Sequence, residues 1–235
     1  MSYYKDIYND YPIRCGKLWS KLRKQAEDKK LDVTFMLMTA AGGMAAIYEH
    51  VKQQSLGLTD SNMDHPAIED STDPARYTEI RKKMLEAIDG PASKSCLLAN
   101  VDYSKWFYRK VERLDQIREC VEFRGPVGIA RKIQSPRDAI SVFRNALAHN
   151  NIYAFNRGNA KEIDEIAFFK EDRKKDKDTG EYRCIGYIVL AIPHLDFRSF
   201  LDSWFDMLQD ADPKTLRAVL NETLDDGSNL DADAA

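Results

Sequence analysis

The sequence lacks the segments that would place it in or across a membrane. No apolar run approaches the roughly 20 residues that a membrane-spanning helix needs. The N-terminal segment MSYYKDIYNDYPIR also lacks the apolar stretch of a signal peptide. We therefore expect a cytoplasmic protein with no membrane partner.

Motifs for nucleotide cofactors and metals are missing as well. The chain contains no Walker loop, no dinucleotide-binding glycine fingerprint, no H-E-x-x-H and no zinc knuckle. Its four cysteines are scattered without a C-x-x-C pair, a pattern typical of buried free thiols in a reducing compartment: Cys15, Cys96, Cys120 and Cys184. We therefore expect no cofactor and no bound metal.

The chain also has no large excess of charge of one sign. It has 235 residues, a formal net charge of −3 and 43% hydrophobic residues, which is the composition of a soluble globular protein. We predict a single domain over residues 1–224 and an acidic, disordered tail over 225–235. This charge balance excludes a protein covered with nucleic acid, although it leaves room for a local basic site.

Apolar residues recur at helical spacing along most of the chain. The pattern predicts helices at 14–29, 33–54, 75–88, 99–123, 135–149, 194–211 and 213–224. In the first of these, Leu18, Trp19 and Leu22 are predicted to face the core. The pair Gly42-Gly43 would weaken the second by about 1 kcal/mol per glycine relative to alanine, so we expect a kink or a closely approaching helix there.

The segment 99–123 carries apolar and aromatic residues at spacings of mostly three and four. We interpret it as one long amphipathic helix. Its aromatic residues, among them Tyr103, Trp106 and Phe107, could stack on nucleic-acid bases, but packing in a core is the more common role of such a stripe.

The period of the pattern changes after residue 160. Two β-rich runs, EIDEIAFFK and YRCIGYIVLAI, flank the charged segment EDRKKDKDTGE, which predicts a β-hairpin at about 162–192 with a long solvated tip. The lysines of the tip could touch RNA, although solubility is the more common role of such a run. The predicted fold class is mainly α: a helical bundle with a β-hairpin inserted before the C-terminal helices.

The segment 135–151, SPRDAISVFRNALAHNN, contains start and stop signals of a helix. Ser135 suits the N-cap, a proline and an acid follow in the first turn, and Asn150 suits the left-handed residue after a helix. An apolar stripe and a polar stripe lie on opposite sides of this helix. The polar stripe contains Asn145 and His149, and Arg144 lies at its border.

The residues Arg144, Asn145 and His149 form an R-N-x-x-x-H pattern, which resembles the R-x(4–6)-H motif of the HEPN superfamily, and in particular its stand-alone prokaryotic ribonuclease-type proteins. The resemblance implies a helical bundle, and for many members metal-independent endoribonuclease activity at a dimer interface between two motif helices. Some of those ribonucleases carry an acid four residues before the arginine. That position is Ile140 here, with Asp138 the nearest acid.

The three motif residues suit metal-independent cleavage of RNA, whose 2′-hydroxyl is the nucleophile. His149 is suited to general acid–base work because the unperturbed pKa of histidine lies near neutrality. Asn145 lies one turn earlier, within reach of the ring or of a phosphate oxygen. Arg144 would offer a planar fork of donors to phosphate.

Helical geometry indicates that one chain does not make this site alone. Residues five apart on a helix are about 140° from alignment, so Arg144 and His149 of one chain converge poorly. Two motif helices that pair across a two-fold axis would bring both sets to one cleft, and the small residues Ser141 and Ala148 allow a close approach. The resemblance implies the same homodimer.

Basic residues concentrate near the motif. Residues 103–150 contain ten lysines and arginines against five acids, and such a local excess favours a phosphate-bearing ligand. Solvated helix faces are an equally good explanation of it. The bases predicted to contact RNA lie just before or at the start of the motif helix: Arg124, Arg131, Lys132 and Arg137.

Two other readings of the motif stay open. HEPN-like bundles also serve as non-catalytic dimerisation or nucleotide- and RNA-binding modules, and the polar stripe would then hold an interface together. The same residues would also serve simply to brace the end of the helix. The resemblance further implies a toxin or defence setting, with an antitoxin or regulatory protein as a partner.

Overall fold

Helices pack on both faces of a five-stranded antiparallel sheet in the computed structural model of the chain. The structure describes residues 7–45, 86–88, 90–124, 126–157, 163–176 and 179–210. The predicted tail over 225–235, the last short helix and the proposed domain limit at 224 lie outside these ranges.

The sheet has the strand order β2-β1-β5-β4-β3. Its strands are β1 (Phe107–Val111), β2 (Ile129–Ala130), β3 (Ile152–Phe155), β4 (Glu165–Lys175) and β5 (Tyr182–Pro193). The long strands β4 and β5 pair at its centre, with Phe168 opposite Leu190 and Lys170 opposite Ile188. On its other edge β5 pairs with β1, where Lys110 lies opposite the same Ile188.

The helices divide between the two faces of the sheet. One face is covered by α4 (Pro136–His149) and α5 (His194–Asp210). The helices α1 (Ile7–Asp28) and α2 (Asp32–Ala40) pack against α5 and complete the same hydrophobic core. The opposite face carries α3 (Asp115–Phe123). Since side chains alternate between the faces of a strand, β4 sends Ile166 and Phe168 towards α4 and sends Ala167 and Phe169 towards α3.

An aromatic cluster holds α4 on the sheet. Phe143 has no exposed surface, and its ring centroid lies 4.9 Å from that of Phe168, 5.0 Å from Phe197 and 5.1 Å from Phe200. Edge-on and tilted contacts at these distances are the favoured geometry of aromatic pairs. The motif helix is therefore fixed from below by strand β4 and helix α5.

The predicted fold class, a helical bundle with a β-hairpin insertion, is wrong. The hairpin exists, because β4 and β5 pair antiparallel over most of the predicted range 162–192. It is not an insertion, however, since three further strands extend it into a sheet of five. These are β1, β2 and β3, and helices cover both faces of the resulting sheet.

The error arose mainly in segment 99–123. The chain there forms a short 3-10 turn at Tyr103–Lys105, strand β1 and then helix α3, instead of one long helix. Apolar spacings of three and four also fit a strand followed by a helix when the break is not marked by glycine or proline. Pairing with β5 and burial of Tyr108 and Val111 decide the conformation, which is a tertiary effect that local pattern does not contain.

Strand β5 requires glycine where it passes β1. Gly186 has φ +148°, and a Cβ atom there would lie 2.5 Å from the carbonyl oxygen of Val111. The register of the hairpin shifts at Asp172/Arg173, opposite this point. This irregularity bends the twelve-residue strand β5, so that it stays paired with β4 up to the tip of the hairpin.

The expectation for the glycine pair is confirmed. Helix α2 ends at Ala40 and a π-helical turn follows at Ala41–Ala45. A Cβ atom on Gly43 would lie 2.4 Å from the Phe205 ring, and the Trp204 indole donates a hydrogen bond to the Gly43 carbonyl at 3.1 Å. Helix α5 therefore approaches the backbone directly, as only glycine permits.

The first helix is confirmed, but its inward face is only partly so. Trp19 is buried, whereas Leu18 and Leu22 are exposed by 48% and 37%.

None of the helices in the described ranges combines the length and the apolar character that crossing a membrane requires.

Candidate functional site

Helix α4 has the ends that its sequence predicts. Ser135 and Asp138 form a reciprocal capping box, and Pro136 stands at the first helical position. At the other end Asn150 adopts the left-handed conformation, with φ 55°. Because both ends are defined, the positions of the motif residues along the helix are defined as well.

Arg144 lies at the edge of the helix face that packs on the sheet. Its side chain is half-buried, and two of its guanidinium nitrogens, Nε and Nη1, are buried. Protein atoms therefore enclose part of this guanidinium within a single chain.

The other two motif residues are more open to solvent. Asn145 is half-buried and His149 is exposed in the last turn of α4. The described residues of a single chain therefore leave the imidazole accessible to a ligand or to a second protomer.

Arg144 and His149 do not form one compact site within a chain. Five residues separate them along a regular helix, which corresponds to about 7.5 Å of rise and about 140° of rotation. The structure thus places the arginine beside the sheet and the histidine at the open end of the helix.

A lysine from strand β4 lies beside Arg144. The Lys170 ammonium donates a hydrogen bond to Ser141 Oγ at 3.1 Å, and Ser141 Oγ in turn donates to the Asp138 carbonyl at 3.0 Å. Ser141 and Arg144 are three residues apart on α4, so both side chains lie on the flank that faces this strand.

The pKa of Lys170 is lowered from 10.5 to about 8. Burial of the ammonium is the main cause, and the positive charge of Arg144 is the next. Asp172 raises the pKa in the opposite direction but does not cancel these effects. The ammonium is therefore held where its charge is costly, next to the motif arginine.

Two further cations lie in the same region. Lys110 Nζ pairs with Asp172 Oδ2 at 2.5 Å, and the Arg131 guanidinium lies 5.5 Å from the Tyr108 ring centroid. The charge of Arg131 also lowers the pKa of Lys170. Part of the basic excess seen in the sequence thus lies at this flank of α4: Lys110 comes from β1, and Arg131 comes from the chain after β2.

The four bases predicted to contact RNA are not brought together. Arg131 lies near Lys170, Lys132 is exposed, and Arg137 is half-buried in the first turn of α4. Arg124 follows α3 on the opposite face of the sheet, where it pairs with the buried carboxylate of Glu165. Contact of these side chains with RNA stays a prediction.

Sequence reasoning missed Lys170 as a site residue. The signal was present in the two-residue period of β4, where Ile166, Phe168 and Lys170 occupy one face. A lysine in line with buried apolar residues of a strand indicates a buried amine. The sequence does not show that the motif helix α4 packs over this lysine, and only the structure does.

In the part of the chain that the structure describes, His194 and the four cysteines form no second centre. His194 begins α5, and its Nδ1 lies 3.3 Å from the Asp164 carbonyl oxygen. His50 and His65 lie outside the described residues. Cys15 and Cys120 are buried as expected, while the other two free thiols, Cys96 and Cys184, are exposed. No three His, Cys, Asp or Glu side chains of the described residues form a metal-binding group.

Replacing Lys170 with methionine should stabilise the folded protein at pH 7. At that pH the ammonium is charged in both states, so the cost of burying it is present in full, up to about 3 kcal/mol for this shift. Between about pH 8 and 10.5 the unfolded chain binds more protons than the folded one, and the wild-type free energy of unfolding should rise with pH. Chemical denaturation across this pH range measures both effects.

The matched control is Lys174→Met, an exposed lysine on the same strand. It should change the free energy of unfolding by no more than about 0.5 kcal/mol. A Lys170→Met variant no more stable than wild type at pH 7, with the same pH dependence, would contradict the lowered pKa.

Comparison with known proteins adds a family to this geometry. No curated protein and no solved structure matches the chain. A family model described as HEPN pEK499 p136 matches residues 1–215, which include the R-N-x-x-x-H helix and the whole sheet. The chain therefore belongs to the HEPN superfamily, in the family described as HEPN pEK499 p136.

Proposed function

We propose that the protein is a metal-independent endoribonuclease that cleaves RNA at a composite site formed by two protomers. The observation that carries the proposal is the exposed His149 on the capped motif helix, with the half-buried Arg144 five residues before it. Membership of the HEPN superfamily supports a nuclease or a nucleotide-binding module.

The proposed reaction uses the nucleophile that RNA carries. A neutral imidazole of His149 takes the proton of the 2′-hydroxyl as the 2′-oxygen attacks the neighbouring phosphorus. The bond from phosphorus to the 5′-oxygen breaks, and an imidazolium returns a proton to that oxygen. The products are a 2′,3′-cyclic phosphate and a 5′-hydroxyl, and no metal is required by this balance.

Arg144 and Asn145 are assigned supporting roles at the phosphate. The guanidinium offers a planar set of donors for two phosphate oxygens, which gain charge in the transition state. Asn145 lies one turn before His149 and can orient the ring or bind a phosphate oxygen. His149 is exposed in a single chain, and in the proposal a second protomer encloses the reaction.

Replacing Ala148 with tryptophan should weaken self-association and cleavage together. Ala148 is exposed on α4 beside Arg144 and His149, where a large side chain would hold two motif helices apart. Sedimentation velocity should show a wild-type dimer and a variant shifted towards monomer. The control is Ala99→Trp, at an exposed alanine that precedes the sheet, which should leave both association and cleavage unchanged. An active wild-type monomer would remove the composite site.

The proposed function itself is tested by incubating RNA with purified protein in excess EDTA. Cleavage should persist in wild type and be lost in Arg144→Ala. Arg144→Lys should restore little of it, because a point charge replaces a planar fork. Activity that disappears with EDTA and returns with a divalent metal would contradict the proposal.

A non-catalytic dimerisation or RNA-binding module is the second candidate. The burial of Arg144 Nε and Nη1 favours it, since a guanidinium enclosed by protein suits a fixed interface. In that case the protein should dimerise and bind RNA without cleaving it. An antitoxin or regulatory protein, expected from the resemblance, would then act on assembly instead of on catalysis.

A further inference from the structure

The largely buried ammonium of Lys170 has a role that the fold itself does not require. Among the described residues its hydrogen-bond partner is Ser141 Oγ alone, although an ammonium has three donors. Burial disfavours its charged form, and methionine would fill the same space between β4 and α4 without that cost. A costly polar group at such a position indicates a ligand.

The acids around Lys170 are already engaged. The Asp172 carboxylate pairs with Lys110. The Asp138 carboxylate accepts hydrogen bonds from the backbone amides of Gln134 and Ser135, at 2.8 and 3.2 Å, as part of the helix cap. Within the described ranges, the positive charge of Lys170 therefore has no dedicated counter-ion, while Arg144 and Arg131 add further positive charge beside it.

We name Lys170, Ser141 and Arg131 the Lys170 cluster, beside which Arg144, assigned above to the phosphate at the motif, adds positive charge. Each of its side chains keeps some exposed surface, so an anion can approach from solvent. The cluster supplies the Lys170 ammonium and the Arg131 guanidinium as donors to the several oxygens of a phosphate. The Ser141 hydroxyl donates its one proton to the Asp138 carbonyl, and its oxygen accepts from the ammonium and so positions it. A carboxylate would use fewer of these donors.

We propose that the Lys170 cluster is a phosphate-binding subsite that holds a phosphodiester of the RNA strand. It is distinct from the phosphate at His149 of the same chain, because Ser141 and His149 are about 12 Å apart along the helix. The choice of RNA as the ligand rests on the proposed function, whereas binding of the phosphate does not require cleavage.

The subsite predicts a specific dependence of affinity on pH. A bound phosphate favours the charged ammonium, so wild-type affinity should fall as pH rises through about 8, where Lys170 loses its proton. The other charged groups that face Lys170 are Arg144 and Asp138 from α4, Asp172 from β4 and Arg131 from the chain after β2, with Lys110 of β1 paired to Asp172.

The test measures binding of a short RNA whose sugars are all 2′-O-methylated, which removes the nucleophile and prevents cleavage. Fluorescence anisotropy of the full-length protein at low salt should show affinity reduced by about tenfold or more in Lys170→Met, with a salt slope smaller by about one. Lys21→Met, at an exposed lysine of α1, is the matched control and should bind as wild type does. The decline of affinity above pH 8 should disappear in Lys170→Met.

Affinity of Lys170→Met equal to that of wild type would overturn the subsite, as would a wild-type affinity that stays flat from pH 7 to pH 9.5. The wild-type pH profile needs no variant, so the test holds even if Lys170→Met fails to fold. Failure of the proposed function has a different signature. RNA would then survive intact with wild-type protein, while the methylated RNA would still lose affinity in Lys170→Met.

Discussion

Replacing His149 with alanine is expected to lower the rate of RNA cleavage by about 10²–10⁴. The imidazole is the exposed end of the motif, and it moves a proton at the 2′-oxygen and at the leaving 5′-oxygen in the proposed reaction. The expected change is in the rate of the chemical step. Binding of uncleavable RNA should change little, because the proposal assigns the phosphate contacts to Arg144 and Asn145.

The control for this prediction is His194→Ala. His194 begins α5, and its Nδ1 lies 3.3 Å from the Asp164 carbonyl oxygen, which can accept a hydrogen bond from it. This variant should cleave at close to the wild-type rate in a single-turnover assay. Equal losses in the two variants would indicate a general effect on stability and would count against His149 as the acid–base group.

Replacing Phe143 with alanine is expected to destabilise the protein by about 3–5 kcal/mol. The side chain is fully buried and touches the rings of Trp106, Phe168, Phe197 and Phe200. Its removal leaves a cavity under the motif helix that the sheet cannot close. Since a domain is stable by about 5–15 kcal/mol, the loss should be large in urea denaturation.

Phe123→Ala provides the matched control, because this phenylalanine is 75% exposed at the end of α3. The change there should stay within about 0.5 kcal/mol. Phe143→Leu should fall between the two, since it keeps part of the buried volume. A Phe143→Ala variant as stable as Phe123→Ala would mean that α4 is not held by the aromatic cluster.

The motif helix could be predicted from the sequence because its signals are local. Ser135, Asp138 and Asn150 satisfy backbone groups within a few residues of their own positions. The β-hairpin was predictable for a related reason, since β4 and β5 are neighbours in sequence. Close approach at Gly43 followed from the cost of two glycines in a helix.

The rest of the sheet depends on pairing between distant segments. Strand β1 is adjacent to β5 although about eighty residues separate them, and β3 is a short edge strand of four residues. Neither has a long alternating pattern, so helical spacing in segment 99–123 was the stronger local signal. The wrong fold class followed from that competition.

The candidate site likewise contains residues that local sequence predicts and a residue that only tertiary packing adds. Arg144, Asn145 and His149 share a short motif, and their placement on one helix is a local property. Lys170 joins them only because β4 passes beneath Ser141. The separation of Arg124 from this region likewise follows from its place on the opposite face of the sheet, beside Glu165.

In the proposed reaction the 2′-hydroxyl of RNA is the nucleophile and no metal takes part. The most direct test of this reaction is to identify the ends left on a defined RNA cleaved in excess EDTA, beside the same RNA with one 2′-deoxy sugar at the cut site. We predict a 2′,3′-cyclic phosphate and a 5′-hydroxyl from the first RNA, and no cleavage at the modified position in the second. Products with 5′-phosphate ends, or cleavage at the 2′-deoxy sugar, would contradict the account.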